Sequence, residues 1–232
     1  MEKSDFIVWA SKLQESYIPN ADVLTRITEI DLVAIVGPTG VGKSSIINNL
    51  NIPVVISDVT RDKRPGEKDG KTYNFKNDYL KIIEEIKAGN YVQFIISSSG
   101  EFYGTHISAY SQYNLYTMAI YAKEIENFKK LQFKSLDQYY IMPPSYIEWM
   151  NRIGGVRAKD LLTRIQEAKE SILLALEDPN YTFILNDNLE LAVNDIIRNR
   201  NKQELDLHRV ELAIGTADIL LEHIGESDSE SD

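Results

Sequence analysis

The sequence predicts an α/β fold with a parallel sheet. Short apolar segments rich in β-branched residues alternate with amphipathic helical segments along most of the chain, as in parallel sheets. The first apolar segment, 31–36, is too short for a helix and does not alternate, which indicates a strand buried on both faces. A glycine-punctuated loop follows this segment and leads into a predicted helix at 43–49.

The segment before the first strand, 1–30, is predicted to be an N-terminal helical extension. Residues 5–18 carry Phe6, Trp9, Leu13 and Tyr17 at helical spacing. Pro19 disfavours helix at the residue before it and ends this helix.

The elements after the loop continue the alternation. Strands are predicted at 52–56, 91–96, 116–121, 139–142 and 181–185, and helices at 78–88, 108–113, 123–131, 146–153 and 160–176. Residues 189–224 read as helical, with a break near 199–201 or at Gly215. We assign 200–224 to a C-terminal helix and 225–232 to a disordered acidic tail.

The apolar stripe of the C-terminal helix allows two interpretations. Leu205, Leu212, Ile219 or Leu220, and Ile224 recur at a spacing that favours packing on the body of the protein. A homodimer formed through this helix is the second interpretation.

Composition excludes several classes of protein. The chain has 232 residues, 25 Lys and Arg against 35 Asp and Glu, and a formal net charge of -10. Such a chain lacks the basic surface of a general nucleic-acid binder. Cysteine is absent, which excludes disulfides and thiolate chemistry, and no apolar run approaches the ~18 residues of a membrane helix. We therefore expect a cytoplasmic protein that binds neither nucleic acid nor membranes.

The strongest motif is the glycine-rich loop at 37–44, which matches G-x-x-x-x-G-K-[ST] between a strand and a helix. Glycines allow backbone N–H groups to wrap an anion, and the helix N-terminus adds favourable dipole charge. Lys43 can bridge β- and γ-phosphates, and the Ser44 hydroxyl can ligate Mg²⁺. A glycine-rich turn without a ligand is the alternative. The predicted ATP-binding residues are Gly37, Pro38, Thr39, Gly40, Val41, Gly42, Lys43, Ser44 and Ser45.

A second anion site is predicted after the second strand. Arg61 and Arg64 flank a turn, and two guanidinium groups suit a phosphate monoester because each binds its oxygens bidentately. A solvated surface turn is the alternative for an isolated pair of this kind. We expect the two anion sites to face each other across a cleft.

Several motifs together resemble the guanylate kinase family over about 31–199. The segment 57–67 (SDVTRDKRPGE), followed by Gly70, Tyr73 and Phe75, is similar to the S-x-x-T-R-x-x-R-P-G-E…G…Y-x-F pattern of that family. Four later segments also resemble it: 100–105 (GEFYGT), 141–145 (IMPPS) with Arg152, 164–170 (RIQEAKE) and 184–187 (ILND).

The resemblance implies a P-loop three-layer core with a parallel sheet, an inserted nucleoside-monophosphate-binding lobe at about 57–115 and a short lid at about 152–163. It implies that Mg²⁺ accompanies ATP and that the partners are nucleotide substrates. The acceptor nucleotide would be bound by Ser57, Arg61, Arg64, Tyr73, Gln93, Tyr103, Gly104 and Thr105. Lys43, Arg152, Arg157 and Arg164 would be catalytic, the three arginines reaching the transferring phosphoryl group.

Three departures from the family pattern bear on the acceptor. The position of the guanine-reading glutamate is Phe94 in a gap-free alignment and Gln93 with a one-residue insertion at 97–99. The D-x-D of the family is replaced by the segment 119–121 (AIY), and Asp58 or Glu101 could compensate for the missing aspartates. The lid is shorter than the lid of the family.

We therefore expect ATP-dependent phosphoryl transfer to a nucleoside monophosphate, GMP or dGMP. Two alternatives stay open at this point. One is a kinase for a phosphorylated sugar such as ribose 1,5-bisphosphate, and the other is a nucleotide-dependent binding module without catalysis.

Overall fold

The computed structural model describes residues 1–97, 99–155 and 158–229, which divide into two compact units. The first unit comprises 1–32, 53–116 and 126–135, and the second comprises 33–52, 117–125 and 136 onward. In chain order the elements are α1 (Lys3–Leu13), α2 (Ala21–Ile27), β1 (Asp31–Val36), α3 (Lys43–Asn49), β2 (Asp58–Val59), β3 (Asn74–Phe75), α4 (Tyr79–Lys87), β4 (Tyr91–Ile96), β5 (Phe102–His106), β6 (Leu115–Ala119), α5 (Ile125–Lys130), β7 (Ser135–Met142), α6 (Tyr146–Ile153), α7 (Ala158–Glu177), β8 (Tyr181–Leu185), α8 (Leu189–Arg200) and α9 (Leu207–Ser229). Short 3₁₀ turns occupy Ile107–Tyr110 and Ala122–Glu124.

The strands form two four-stranded sheets. The sheet of the second unit has the order β6-β1-β7-β8 and is parallel, which confirms the predicted α/β fold. The sheet of the first unit has the order β3-β2-β5-β4, with β2 parallel to β3 and β5 antiparallel to both of its neighbours. In the parallel sheet, β1 is buried from Leu32 to Val36 and delivers the glycine-rich loop at its carboxyl end.

Two predictions about the elements are wrong. The strand predicted at 52–56 is absent, and there Val54 makes only an isolated bridge and is 37% exposed. Pro53 has no N–H to donate, so it weakens a ladder at this point. The predicted C-terminal helix at 200–224 instead begins at Leu207 and runs to Ser229, so it includes 225–229, which we had assigned to a disordered tail.

The N-terminal segment is part of the core of the first unit. Phe6 and Ala10 of α1 are fully buried and join a cluster that also contains Ile82, Ile83, Ile86, Tyr91, Phe94 and Phe102. Polar contacts add to this packing, because Gln14 accepts from the Ile96 N–H at 2.8 Å and Tyr17 donates to the Tyr91 carbonyl at 2.7 Å. Helix α1 therefore covers one face of the first unit's sheet.

Among the helices within residues 1–97, 99–155 and 158–229, none combines the length and the apolar character needed to cross a bilayer.

The burial of Phe6 gives the first testable prediction. Its ring is fully buried and stacks on Tyr79 at 5.3 Å, so Phe6→Ala should lower the free energy of unfolding by about 3–5 kcal/mol through lost burial and a cavity. Chemical denaturation of the full chain measures this loss. Val8→Ala on the same helix is the control, because Val8 is 58% exposed. Equal, small losses in both variants would contradict the packing of α1 described above.

Candidate active site

The loop that joins β1 to α3 has the backbone conformation that its sequence predicts. Gly40 and Gly42 have φ values of +80° and +97°, which residues with a Cβ rarely adopt. A Cβ on Gly42 would lie 2.4 Å from Asn186 Nδ2, and one on Gly40 would lie 2.5 Å from Ile153 Cγ2. Both glycines are thus required by dihedral angle and by space.

Two side chains hold carbonyl groups of this loop. The Trp149 indole N–H donates to the Thr39 carbonyl at 2.8 Å, and the Asn186 amide donates to the Val41 carbonyl at 2.6 Å. Because C=O and N–H point in opposite directions in a trans peptide, these bonds turn the N–H groups of Gly40 and Gly42 the other way. The two amides are thereby oriented away from the protein, as an anion-binding loop requires.

Lys43 begins α3 and its ammonium group lies at the loop itself. Its Nζ donates to the carbonyls of Gly37 and Pro38, both at 2.7 Å. Burial lowers the pKa of Lys43 to about 8, because the charged form loses solvation there. The loop therefore carries a positive charge directly beside its backbone amides.

The residues present fit a magnesium ion that is bound mainly by phosphate and water. Ser44 is exposed in the first turn of α3, where its hydroxyl can reach an ion on the loop. The segment 119–121 offers no carboxylate, although it lies beside β1, since the Ile120 N–H donates to the Ile35 carbonyl. Within the part of the chain that the structure describes, no cluster of three His, Cys, Asp or Glu side chains could hold a metal. Mg²⁺ often takes few protein ligands and keeps waters, so one hydroxyl suffices.

Of the three predicted lid arginines, Arg152 lies beside the phosphate loop. Its Nε donates to Glu148 at 3.1 Å, and its Nη2 lies 3.5 Å from the Asn186 carbonyl. Its Cβ would be 3.8 Å from a Cβ on Gly40. Arg164 is partly buried on α7, and its catalytic role stays a prediction. Arg157 lies outside the described residues.

Three predicted acceptor residues on β4 and β5 share one face of the first unit's sheet. Gly104 lies on the other face, where a Cβ would be 2.6 Å from the Phe102 ring, so its predicted contact with the acceptor gains no support. Gln93 pairs with Thr105 across β4 and β5, and Tyr103 pairs with Val59 across β5 and β2. Alternate residues of a strand share a face, so Gln93, Tyr103 and Thr105 lie opposite to the face that α1 covers. The Tyr73 ring meets the Tyr103 ring edge-on at 6.1 Å and extends this surface.

Arg61 is the most highly coordinated member of this surface. Its two terminal nitrogens donate to the Glu67 carboxylate at 2.6 and 2.7 Å, and its Nε donates to the Tyr103 hydroxyl at 3.1 Å. Its guanidinium carbon lies 4.9 Å from the centre of the Tyr73 ring. Glu67 raises the pKa of Arg61, and Arg61 in turn holds the pKa of the Glu67 carboxyl below its usual value. Glu67 thus occupies the bidentate edge of the guanidinium, so what Arg61 offers a phosphate monoester is an oriented positive charge beside the Tyr73 and Tyr103 rings.

Arg64 and Ser57 lie at the margins of this surface. Arg64 is exposed, and its backbone N–H donates to Glu67 at 2.8 Å. The Ser57 carbonyl accepts from the Asn74 N–H at 2.9 Å. Their contact with an acceptor, and the facing of the two anion sites, stay predictions.

The structure distinguishes the two candidates for the base-reading position. Phe94 is 3% exposed and stacks on Phe102 at 5.5 Å within the core, so it cannot read a base. Gln93 lies on the opposite face, and its Oε1 is buried with no hydrogen-bond partner among the described residues. A buried, unpaired acceptor is costly, which makes this oxygen a candidate contact for a ligand N–H.

Asp58 and Glu101 have structural partners and do not replace the missing D-x-D. Asp58 is 5% exposed and accepts from Tyr91 at 2.7 Å and Asn74 at 2.9 Å. Glu101 pairs with Lys3 at 2.6 Å and accepts from Thr60 at 2.9 Å. Both carboxylates are thus bound within the first unit.

Sequence reasoning gave no role to Trp149, Asn186 or Glu67. Glu67 and Asn186 stand inside motifs that we quoted, so a search for side-chain partners of the loop and of Arg61 could have found them. The signal for Trp149 is weaker, because an apolar helix position does not show that its indole N–H needs a buried acceptor.

Comparisons with known proteins agree with this geometry. The guanylate kinase family model matches residues 29–200. A guanylate kinase of Thermotoga maritima is 30% identical, over 78% of this chain and 95% of its own length. One of Schizosaccharomyces pombe is 27% identical, over 76% and 94%. The crystal structure of guanylate kinase from Anaplasma phagocytophilum has the same fold, with a TM-score of 0.56 at 21% identity over 79% of this chain and 94% of that one.

The coordination of Arg61 gives the second testable prediction. Arg61→Lys keeps the charge but cannot make the two parallel bonds to Glu67 or the bond to Tyr103. We expect the Kd for GMP to rise about tenfold or more, with ATP binding unchanged. Isothermal titration calorimetry measures both constants. Arg26→Lys is the matched control, because Arg26 donates to Tyr110 and Tyr113 carbonyls elsewhere in the same unit. Equal GMP affinity in all three proteins would contradict the assignment of Arg61.

Proposed function

This chain belongs to the guanylate kinase family, and on that premise we propose that it transfers the γ-phosphoryl group of ATP to GMP or dGMP. The observation that carries the proposal is the complete phosphate loop. Lys43 stands at the start of α3, and Trp149 and Asn186 hold two carbonyl groups of the loop. A phosphate loop of this kind is what a nucleoside triphosphate donor requires.

On the donor side, the protein supplies charge and alignment. The N–H groups of Gly40 and Gly42 would hold phosphate oxygens, and Lys43 would bridge β- and γ-phosphates. Ser44 would hold Mg²⁺, and the ion would neutralise negative charge on the phosphates. Arg152 would supply a further positive charge to the transferring group from its place beside the loop, and we propose the same for Arg157 and Arg164.

On the acceptor side, the protein must orient a phosphate that acts as the nucleophile. Arg61 and Arg64 would bind its oxygens, and the hydroxyls of Tyr73 and Tyr103 would complete the contact. The phosphate oxygen attacks the γ-phosphorus as the bond from that phosphorus to the β–γ bridging oxygen breaks, which yields ADP and a nucleoside diphosphate. Little proton chemistry is needed, so positioning and charge account for catalysis.

Recognition of the base is assigned to Gln93 and Thr105. The buried Gln93 Oε1 would accept one hydrogen bond from guanine N1–H or its 2-amino group. A carboxylate accepts from both groups and adds charge, so a glutamine discriminates against other bases less strongly. We therefore expect guanine preference at reduced strength.

The two alternative functions gain no support from the comparisons. The absent glutamate favoured the phosphorylated sugar, but the unpaired Oε1 of Gln93 would provide a base contact in its place. A binding module without catalysis is disfavoured, because the chain retains Lys43 and Ser44, which phosphoryl transfer requires. Cytoplasmic location and the homodimer through the C-terminal helix stay predictions.

A direct assay tests the function. Mg-ATP is incubated with GMP, dGMP, AMP, UMP, dTMP or ribose 1,5-bisphosphate, and ADP release is measured. We expect the highest kcat/KM with GMP or dGMP. Lys43→Ala should lower kcat about a thousandfold, because a preorganised charge at the transferring group is lost. Lys12→Ala, at an exposed lysine of α1, is the control. Turnover of the sugar phosphate alone, or wild-type rates in Lys43→Ala, would contradict the proposal.

The base contact has its own prediction. Gln93→Leu removes the acceptor and should lower the ratio of kcat/KM for GMP to that for AMP about tenfold, the cost of one lost buried hydrogen bond. Gln138→Leu is a matched control, because Gln138 Oε1 is also buried with no partner among the described residues but lies on β7 of the other unit. A ratio that changes equally in both variants would refute the assignment of Gln93.

A further inference from the structure

Arg209 belongs to α9, which lies beyond the segment 29–200 that the family model matches. Its side chain is 14% exposed. The guanidinium donates to the Leu185 carbonyl at 2.9 Å, to both oxygens of Asp187 at 2.9 and 3.1 Å, and to Asp195 at 2.9 Å. One side chain therefore binds the end of β8, the turn after it and the following helix α8.

Asn186 lies between two of these bound residues, Leu185 and Asp187. Its amide holds the Val41 carbonyl of the phosphate loop, and its own backbone N–H donates to the Met142 carbonyl at 2.8 Å. Arg209 thus fixes the backbone on both sides of the side chain that orients the Gly42 amide. The pKa of the Asp187 carboxyl is lowered chiefly by its hydrogen bonds to Arg209, which agrees with a well-formed ion pair.

Helix α9 also contacts α6, the helix that carries Trp149, the other side chain bound to the phosphate loop. The His223 ring stacks on Tyr146 at 4.5 Å between ring centres, and Tyr146 begins the helix that carries Trp149. The buried face of α9 comprises Ala213, Thr216, Ala217, Leu220 and Ile224. Both hydrogen bonds that orient the loop, from Asn186 and from Trp149, therefore come from elements on which α9 packs.

We propose that Arg209 is a positioning residue for the triphosphate site, acting through Asn186 on the phosphate loop. This inference rests on the proposed function insofar as the loop binds Mg-ATP. A positioning role affects the donor nucleotide and leaves the acceptor unchanged. A purely structural role would change both nucleotides or neither.

Arg209→Gln in the full chain tests the proposal. Calorimetry with Mg-ATP and, separately, with GMP should give a Kd for ATP that rises about threefold to thirtyfold, the range of remote couplings, with the Kd for GMP unchanged. Steady-state kinetics should show the same selective rise of KM for ATP. Arg200→Gln is the matched control. The Arg200 Nε pairs with Asp137 at 3.0 Å near the start of β7, whereas Asn186 bonds to Met142 at the other end of that strand. Its ATP affinity should equal that of the wild type.

A double-mutant cycle with Asn186→Ala distinguishes transmission from general weakening. If Arg209 acts through Asn186, the double variant should bind ATP no more weakly than Asn186→Ala alone. Additive losses, or an unchanged ratio of ATP to GMP affinity in Arg209→Gln, would overturn the proposal. Should that variant not fold, the same ratio in Arg209→Lys decides. A wild-type chain that binds no Mg-ATP would contradict the proposed function as well, whereas normal binding with an unaffected Arg209 variant contradicts this inference alone.

Discussion

The anion-binding geometry of the second unit depends on the orientation of two peptide planes in the phosphate loop. Each plane is set from outside the loop, by the Trp149 indole and by the Asn186 amide. Because a trans peptide is rigid, fixing its carbonyl also fixes its N–H group. The amides of Gly40 and Gly42 are then oriented before any nucleotide binds, so little reorganisation is required on binding. The glycines permit this conformation, and the buried donors select it.

The surface around Arg61 in the first unit is organised by a different requirement, the pairing of a positive charge on a largely buried arginine. Removing a guanidinium from water is costly unless its donors are paired, and Glu67 and Tyr103 provide the partners for Arg61. The same bonds restrict the rotamers of a flexible side chain. The sheet beneath is covered by α1, whose Lys3 reaches Glu101 next to β5. A rigid support of this kind is needed because small displacements of a bound nucleophile lower the rate of transfer strongly.

The sequence predicted those parts of the protein that local chemistry determines. The phosphate loop, β1, β4, β8 and α3 are where the motifs and periodicities indicated, because glycine conformation and apolar patterning act within a few residues. Features that depend on strand pairing were less accessible. The choice between Gln93 and Phe94 rested on an alignment gap, whereas in the structure the register of β4 with β5, which includes a bulge near Tyr91, places Gln93 on the face of Tyr103 and Phe94 in the core. A shift of one residue exchanges the two faces of a strand, so no composition argument could replace that register.

The bonds of Lys3 and Arg209 connect segments outside the family-matched region to residues next to the candidate site. Neither side chain belongs to a nucleotide-binding motif. Each is a cation that pairs with a carboxylate, and that carboxylate lies next to a residue of such a motif. Lys3 holds Glu101, whose other oxygen accepts from Thr60, the neighbour of Arg61. Arg209 holds Asp187, the neighbour of Asn186. Glu101 thereby holds the side chain of the residue before Arg61, and Asp187 holds the backbone position after Asn186, so both ion pairs lie next to residues of the candidate site.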